Sequence, residues 1–223
     1  MPPKILIEEA VDIYQKERFS HTPFEHLPGF HDLNFRNKGF AGQWLETLLY
    51  NTDRPLGSAH TDFLDGELKT FSLKSKDEPQ HTIAITTLSA VLDDIQEGRP
   101  FEETKLYEKI QQLLLIPIYK QTPNKEEWMF LDAIHIKLED DEPLFEHLKD
   151  EYEDLASRIR FGIRFQRTFS ELGLRRTFLE IRTKDSFPYT PITFNGFEHS
   201  DKGRAFFFRK PLIRYFLSHG TRV

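Results

Sequence analysis

Two acids and a lysine that could share one site lie within a single short stretch, Asp62-Phe-Leu-Asp-Gly-Glu67-Leu-Lys69. On an extended strand residues i and i+2 share a face, so the Glu67 carboxylate and the Lys69 ammonium project side by side. Asp62 can join them across the turn that precedes the strand. Carboxylates grouped in this way hold Mg2+, and a neighbouring lysine can orient or help deprotonate an attacking water. That is the chemistry of metal-dependent phosphodiester hydrolysis. A plain solvated strand face gives Glu-x-Lys as well, because charges alternate there without any site. The rest of the chain has to supply support.

The elements that would position this stretch are readable from periodicity. Residues 5–18 read as an amphipathic helix, followed by a Pro/His/Gly-rich connection from Ser20 to Lys38. Residues 39–50 form a second helix with Phe40, Trp44, Leu45 and Leu48 mostly on one side, and Glu46 rides on it. A turn-rich segment, Asn51 to Ala59, leads into the strand bearing Glu67 and Lys69. Strands are expected at 81–88, 113–119, 128–138, 178–182 and 205–209. Leu113–Tyr119 (LLLIPIY) is too uniformly apolar for anything but a buried strand. Helices are expected at 91–95, 101–112, 142–160 and 211–219, the third acid-rich and the last with proline in its first turn. The result is a helix–sheet mixture with several antiparallel hairpins. Phe-Glu-His-Leu occurs at 24–27 and again at 145–148, without the His-Glu-x-x-His spacing that a zinc site on a helix requires.

Composition narrows the class. A chain of 223 residues can bury one good core or two small lobes. No apolar run reaches the ~18 residues of a membrane span, and Met-Pro-Pro-Lys at the start leads into no signal-peptide core. The absence of cysteine excludes disulfides and cysteine-ligated zinc, and fits a cytoplasmic protein. The 21 phenylalanines point to an aromatic-rich core. The net charge of −6 argues weakly against a nucleic-acid partner, but its distribution argues for one. Residues 158–223 hold 14 Lys/Arg against 5 Asp/Glu, a balance of +9, so the remainder carries −15. Such asymmetry points to a polyanion, although a basic surface without a partner has the same composition.

The order of short motifs adds a resemblance. Lys38-Gly-Phe-Ala-Gly-Gln-Trp-Leu-Glu46, then Asp62-Phe, then Gly66-Glu67-Leu-Lys69-Thr70 resembles the MutH family. That family joins the mismatch-repair nicking endonuclease to Sau-type restriction enzymes that cut at GATC. The likeness continues through Lys109-Ile-Gln-Gln-Leu-Leu-Leu-Ile-Pro117, Phe178-Leu-Glu-Ile-Arg182-Thr-Lys184 and Gly203-Arg-Ala-Phe-Phe-Phe-Arg209-Lys210. It implies an α/β (α+β) fold: a restriction-endonuclease-like mixed sheet flanked by helices, two lobes clamping a DNA cleft. One endonuclease domain over 1–223 would then have a catalytic arm to about residue 120 and a mainly DNA-recognition arm beyond it.

By the same resemblance Asp62 and Glu67 are the metal-binding carboxylates and Glu46 completes the metal environment. Lys69 positions the nucleophilic water, and Lys109 stands near the scissile phosphate. Arg182 and Lys184 reach the DNA, and Phe207, Arg209 and Lys210 fall in a second reading segment. The implied cofactor is Mg2+, with Mn2+ able to substitute. The implied partner is double-stranded DNA, with no membrane, and with a second copy on the DNA as one way to cut both strands.

Two departures from the family pattern matter. Asp62 precedes Glu67 by only five residues, a shorter gap than in the repair branch, which leaves Asp65 a rival for the metal. Phe207 stands where the repair enzyme has a tyrosine linked to sensing adenine methylation. Loss of that hydroxyl removes a hydrogen-bond donor and favours a type II restriction enzyme. The alternatives are a mismatch-repair nickase at hemimethylated GATC, driven by an activator protein, and a non-catalytic DNA-binding module.

Overall fold

The computed structural model describes all residues except 1–2, 34, 36–38, 53–60, 76, 121, 166–168, 185–191, 195–196 and 200–202. Lys38 and most of the turn-rich segment before Asp62 therefore lie outside the described residues. The chain divides into two compact units interleaved along the sequence: Met1–His81, Gln111–Lys137 and Arg214–Val223 form the first, Thr82–Ile110 and Leu138–Ile213 the second.

The first unit is built on a mixed six-stranded sheet. Its strands are β1 (Glu67–Ser75), β2 (Glu78–Pro79), β4 (Gln112–Tyr119), β5 (Met129–Phe130), β6 (Ile134–Lys137) and β11 (Thr221–Arg222). The order is β11-β6-β4-β1-β2, with β5 also on β4. The apolar run becomes the central strand β4, buried from Leu113 to Ile118, as a strand covered on both faces must be. It runs parallel to β1, with Glu67 opposite Leu113 and Leu73 opposite Tyr119. Its other neighbours, β5 and β6, are antiparallel.

The single strand expected over 128–138 is broken into β5 and β6, and its last residue, Leu138, starts a short 3-10 turn. The break at Leu131–Ala133 faces Ile116 and Pro117. Proline has no N–H for the ladder, so the partner strand bulges past it, keeping only the bond from Leu131 N to the Pro117 carbonyl at 2.9 Å.

Helices α1 (Ile7–Lys16) and α2 (Phe40–Tyr50) belong to this unit. Their buried faces meet Phe24, Phe30, Phe63 and Phe130 in the aromatic-rich core anticipated from composition. Phe24 packs edge-on against Trp44 at 5.0 Å and tilted against Phe130 at 4.6 Å. The Trp44 indole N–H donates to the Pro28 carbonyl (2.9 Å), so the ring is buried with its polar atom satisfied.

In the second unit β3 (Ile83–Thr87), β10 (Arg204–Phe208) and β7 (Leu179–Thr183) form an antiparallel sheet in the order β3-β10-β7. A separate hairpin pairs β8 (Ile192–Phe194) with β9 (Phe197–His199). Helices α3 (Leu88–Glu97), α4 (Lys105–Ile110) and α5 (Glu142–Arg164) complete it, and α6 (Lys210–His219) follows β10. The helix expected over 101–112 is shorter than its pattern. A 3-10 turn occupies Phe101–Glu103, and Thr104 restarts the chain by accepting the Tyr107 N–H on its hydroxyl (3.1 Å). The helix expected over 91–95 is longer, running from Leu88 to Glu97, and Gly98 with its φ of 66° stops it.

Glu151 on α5 is buried, and its carboxylate accepts the backbone N–H groups of Phe178 and Leu179 at 2.7–3.0 Å. These bonds tie α5 to the start of β7. The described residues thus show the expected α/β class with a mixed sheet. No helix among them is long and apolar enough to cross a membrane.

Candidate active site

The site begins with a tight approach of two strands. A Cβ on Gly66 would stand 2.4 Å from the Gln112 carbonyl oxygen and 2.6 Å from Ile7 Cδ1, so only glycine lets the chain enter β1 here. Gly66 also closes the preceding turn, its carbonyl accepting the Phe63 N–H at 2.9 Å. Phe63 is fully buried and anchors that turn, which fixes Asp62 on one side of it and Glu67 on the other.

Asp62 is hydrogen-bonded across the turn to both Glu67 and Leu68. Asp62 Oδ2 accepts the Leu68 N–H at 2.9 Å, and Glu67 Oε2 accepts the Asp62 N–H at 3.3 Å. Lys69 Nζ donates to Glu67 Oε1 at 2.6 Å, the side-by-side arrangement expected of strand positions i and i+2. The pair is sheltered: the Glu67 side chain is 6% exposed and that of Lys69 16%.

Glu46 is also buried, on the α2 turn above β1. The helix reaches the strand closely because it presents Gly42 to Thr70; a Cβ there would lie 3.2 Å from the threonine hydroxyl. Tyr50, one helical turn beyond Glu46, ties α2 to the Asp62 backbone. Its hydroxyl donates to the Asp62 carbonyl at 2.7 Å and accepts the Ile5 N–H at 3.4 Å. Burial raises the Tyr50 pKa, the Ile5 bond opposes the rise, and the negative charges of Asp62, Glu46 and Asp65 add to it. Three carboxylates therefore bear on one phenol.

Tyr50 was not among the residues singled out from the sequence. Its i+4 spacing from Glu46 was the available signal. Lys4, whose ammonium donates to the Thr61 carbonyl, was likewise not anticipated.

Asp65 has a separate engagement, its Oδ1 accepting the Ile7 N–H at the start of α1 (2.9 Å). Lys109 lies on α4 in the second unit. Of the C-terminal residues, Arg182 is exposed on β7 and its guanidinium lies 4.3 Å above the buried Phe207 ring on β10. Lys184 is exposed just past β7, its N–H bonded to the Gly203 carbonyl (2.7 Å). Arg209 is half-buried and donates to the carbonyls of Arg176 and Thr177. Lys210 opens α6.

Could these groups take a hard divalent cation? The donors are all carboxylate oxygens, the class Mg2+ prefers, and Glu46, Asp62 and Glu67 against Lys69 leave a surplus of two negative charges. The donor chemistry suits Mg2+. Among the described residues, however, no group of three acids or imidazoles is placed so that it could hold a metal ion: Glu67 Oε1 is turned to Lys69 and Asp62 Oδ2 to the Leu68 N–H.

A family model described as DNA mismatch repair enzyme MutH matches residues 55–143. Residues 55–143 are thus similar to the MutH family. The match supports a MutH/Sau-type family with a restriction-endonuclease-like fold, and a nuclease acting on DNA. The MutH segment contains Asp62, Glu67, Lys69 and Lys109. Glu46 and the C-terminal residues fall outside it. No curated protein matches the chain.

Proposed function

We propose that the chain is a Mg2+-dependent, sequence-specific DNA endonuclease, a type II restriction enzyme of the cytoplasm cutting a short site such as GATC. The observation that carries this reading is the Glu67–Lys69 pair, 2.6 Å apart and sheltered, with Asp62 bonded to the Glu67 turn inside the MutH segment. A solvated strand face would not bury Glu67 and half-bury Lys69, since desolvation is costly without a purpose for it. Glu46, Asp62 and Glu67 would hold the ion, which when bound supplies a Lewis acid for the phosphate and lowers the pKa of a water.

The remaining roles belong to this chain's own groups. Lys69 holds a water by its N–H donors and offers positive charge where the phosphate gains negative charge. Lys109 is proposed as a second catalytic lysine on the family likeness alone. Tyr50 fixes the Asp62 backbone, and through it the carboxylate. Asp62 is preferred to Asp65 as ligand because it shares the turn with Glu67, whereas Asp65 serves the first turn of α1. The first unit thus carries the carboxylates and Lys69, and the second carries Lys109 together with Arg182, Lys184, Phe207, Arg209 and Lys210, the residues assigned to DNA recognition.

The test is cleavage of a sequenced plasmid, methylated and unmethylated, with Mg2+. Wild type is expected to give discrete double-strand products. Glu67→Ala and Lys69→Ala are expected to abolish cleavage and to keep DNA binding. Full activity in either variant sinks the assignment.

A second reading has one observation in its favour: the matching family model is described as a mismatch repair enzyme. A nickase would cut one strand of hemimethylated GATC and respond to an activator protein. Double-strand breaks made by the protein alone exclude it.

A further inference from the structure

The second unit contains a carboxylate that neither the catalytic chemistry nor the sequence reading used. Glu180, on β7, is 8% exposed, yet three arginines gather around it. Arg182 Nε lies 3.4 Å from Oε1, while Arg175 Nε and Arg209 Nε lie 3.6 Å and 3.8 Å from Oε2. The strand register explains the convergence. Glu180 pairs with Phe207 and Arg182 with Ala205, so acid, arginine and aromatic ring share one face of the sheet.

The three guanidiniums are not equivalent. Arg209 is tethered to the backbone carbonyls of Arg176 and Thr177, and its side chain is 21% exposed. Arg182 is 51% exposed and is held on three sides. Glu180 stands at its Nε, the Thr82 hydroxyl takes Nη2 at 2.5 Å, and the Phe207 ring lies under its plane at 4.3 Å. None of these contacts uses Nη1. An exposed arginine ordinarily spends conformational entropy when it binds, and one already fixed in plane and direction spends less.

We propose that Glu180 is a positioning residue for sequence discrimination: it holds Arg182 in one orientation for the edge of a DNA base. The inference rests on the DNA-endonuclease reading given above. Guanine offers two acceptors to an arginine fork in the major groove, and that pairing rewards a fixed plane, whereas a phosphate accepts a guanidinium from many directions. A carboxylate among three arginines also lowers the local charge from +3 to +2. Affinity for any DNA is thereby reduced while selectivity is gained.

The two effects separate experimentally. Glu180→Gln keeps the shape of the side chain and removes its charge. It is expected to bind a duplex without a site several-fold more tightly, with a steeper salt dependence. Its kcat/KM preference for a GATC duplex over duplexes altered at one base is expected to fall about tenfold. Thr82→Val releases Arg182 from the other side and is expected to lower the same preference without raising non-specific affinity. It keeps the test open should Glu180→Gln fail to fold. A merely structural Glu180 would lower activity on all duplexes together, with a lower melting temperature and unchanged preference, and that result overturns the proposal. So does full wild-type preference in both variants. A wild type that cuts no DNA overturns the endonuclease reading and this inference together, whereas a selective wild type with equally selective variants overturns this inference alone.

Discussion

Removing the Lys69 ammonium while keeping its stem, Lys69→Met, isolates the energetics of the central ion pair. At 2.6 Å and an effective dielectric near 20, opposite unit charges attract by about 6 kcal/mol. Withdrawing both from water costs several kcal/mol each, so the net value of the intact pair is small. The single variant is different, because Glu67, 6% exposed, keeps its desolvation cost and loses its counter-charge beside Asp62. Lys69→Met should therefore destabilise the protein by ~3–5 kcal/mol, and the double variant Glu67→Gln/Lys69→Met by about 1 kcal/mol or less. Urea denaturation followed by tryptophan fluorescence gives both numbers, since Trp44 and Trp128 both belong to this unit. Added Mg2+ should stabilise Lys69→Met more than wild type, because the variant lacks the Lys69 charge that faces Glu67. Equal stability of the single and double variants would refute the picture of a sheltered, mutually dependent pair.

Tyr50→Phe removes the bond to the Asp62 carbonyl, and is expected to cost about 1 kcal/mol and to slow cleavage. Because the phenol pKa is raised in the fold from 10.0, mainly by burial, Tyr50 opposes stability as pH rises above that value. Tyr50→Phe should consequently lose less stability between neutral and strongly alkaline pH than wild type, as read by denaturation midpoints. Gly66→Ala places a methyl group against the Gln112 carbonyl. Its expected cost is ~3 kcal/mol or more, with cleavage falling because Asp62 and Glu67 separate; a melt within a degree or two of wild type would contradict the close approach.

The parts of the fold legible in the chain were those governed by local periodicity. Leu113–Ile118 carries no polar residue, so it could only be a covered strand. The amphipathic spacing of Ile7, Ala10, Val11 and Tyr14 marked α1. Alternation on a strand put Glu67 beside Lys69. Boundaries failed where one residue exerted a long-range effect: Pro117 broke the strand opposite it, and Thr104 divided the expected helix at 101–112. The parallel pairing of β1 with β4 carried no local signal, since it joins residues more than forty positions apart.

By itself the sequence determined which chemistry the site could perform: acids and a lysine at strand spacing, hard oxygen donors, no thiols, and a basic C-terminal third for a polyanion. Tertiary structure decided which of those groups share an environment. Tyr50 reaches Asp62 where Gly42 lets α2 approach β1 closely, and Glu180 meets Arg175 across a bridge and Phe207 and Arg209 across the β7–β10 register. Charge type is a property of each residue, readable one letter at a time. The orientation that makes a charge useful is set by backbone approach and strand register, and these are fixed only when distant segments pack.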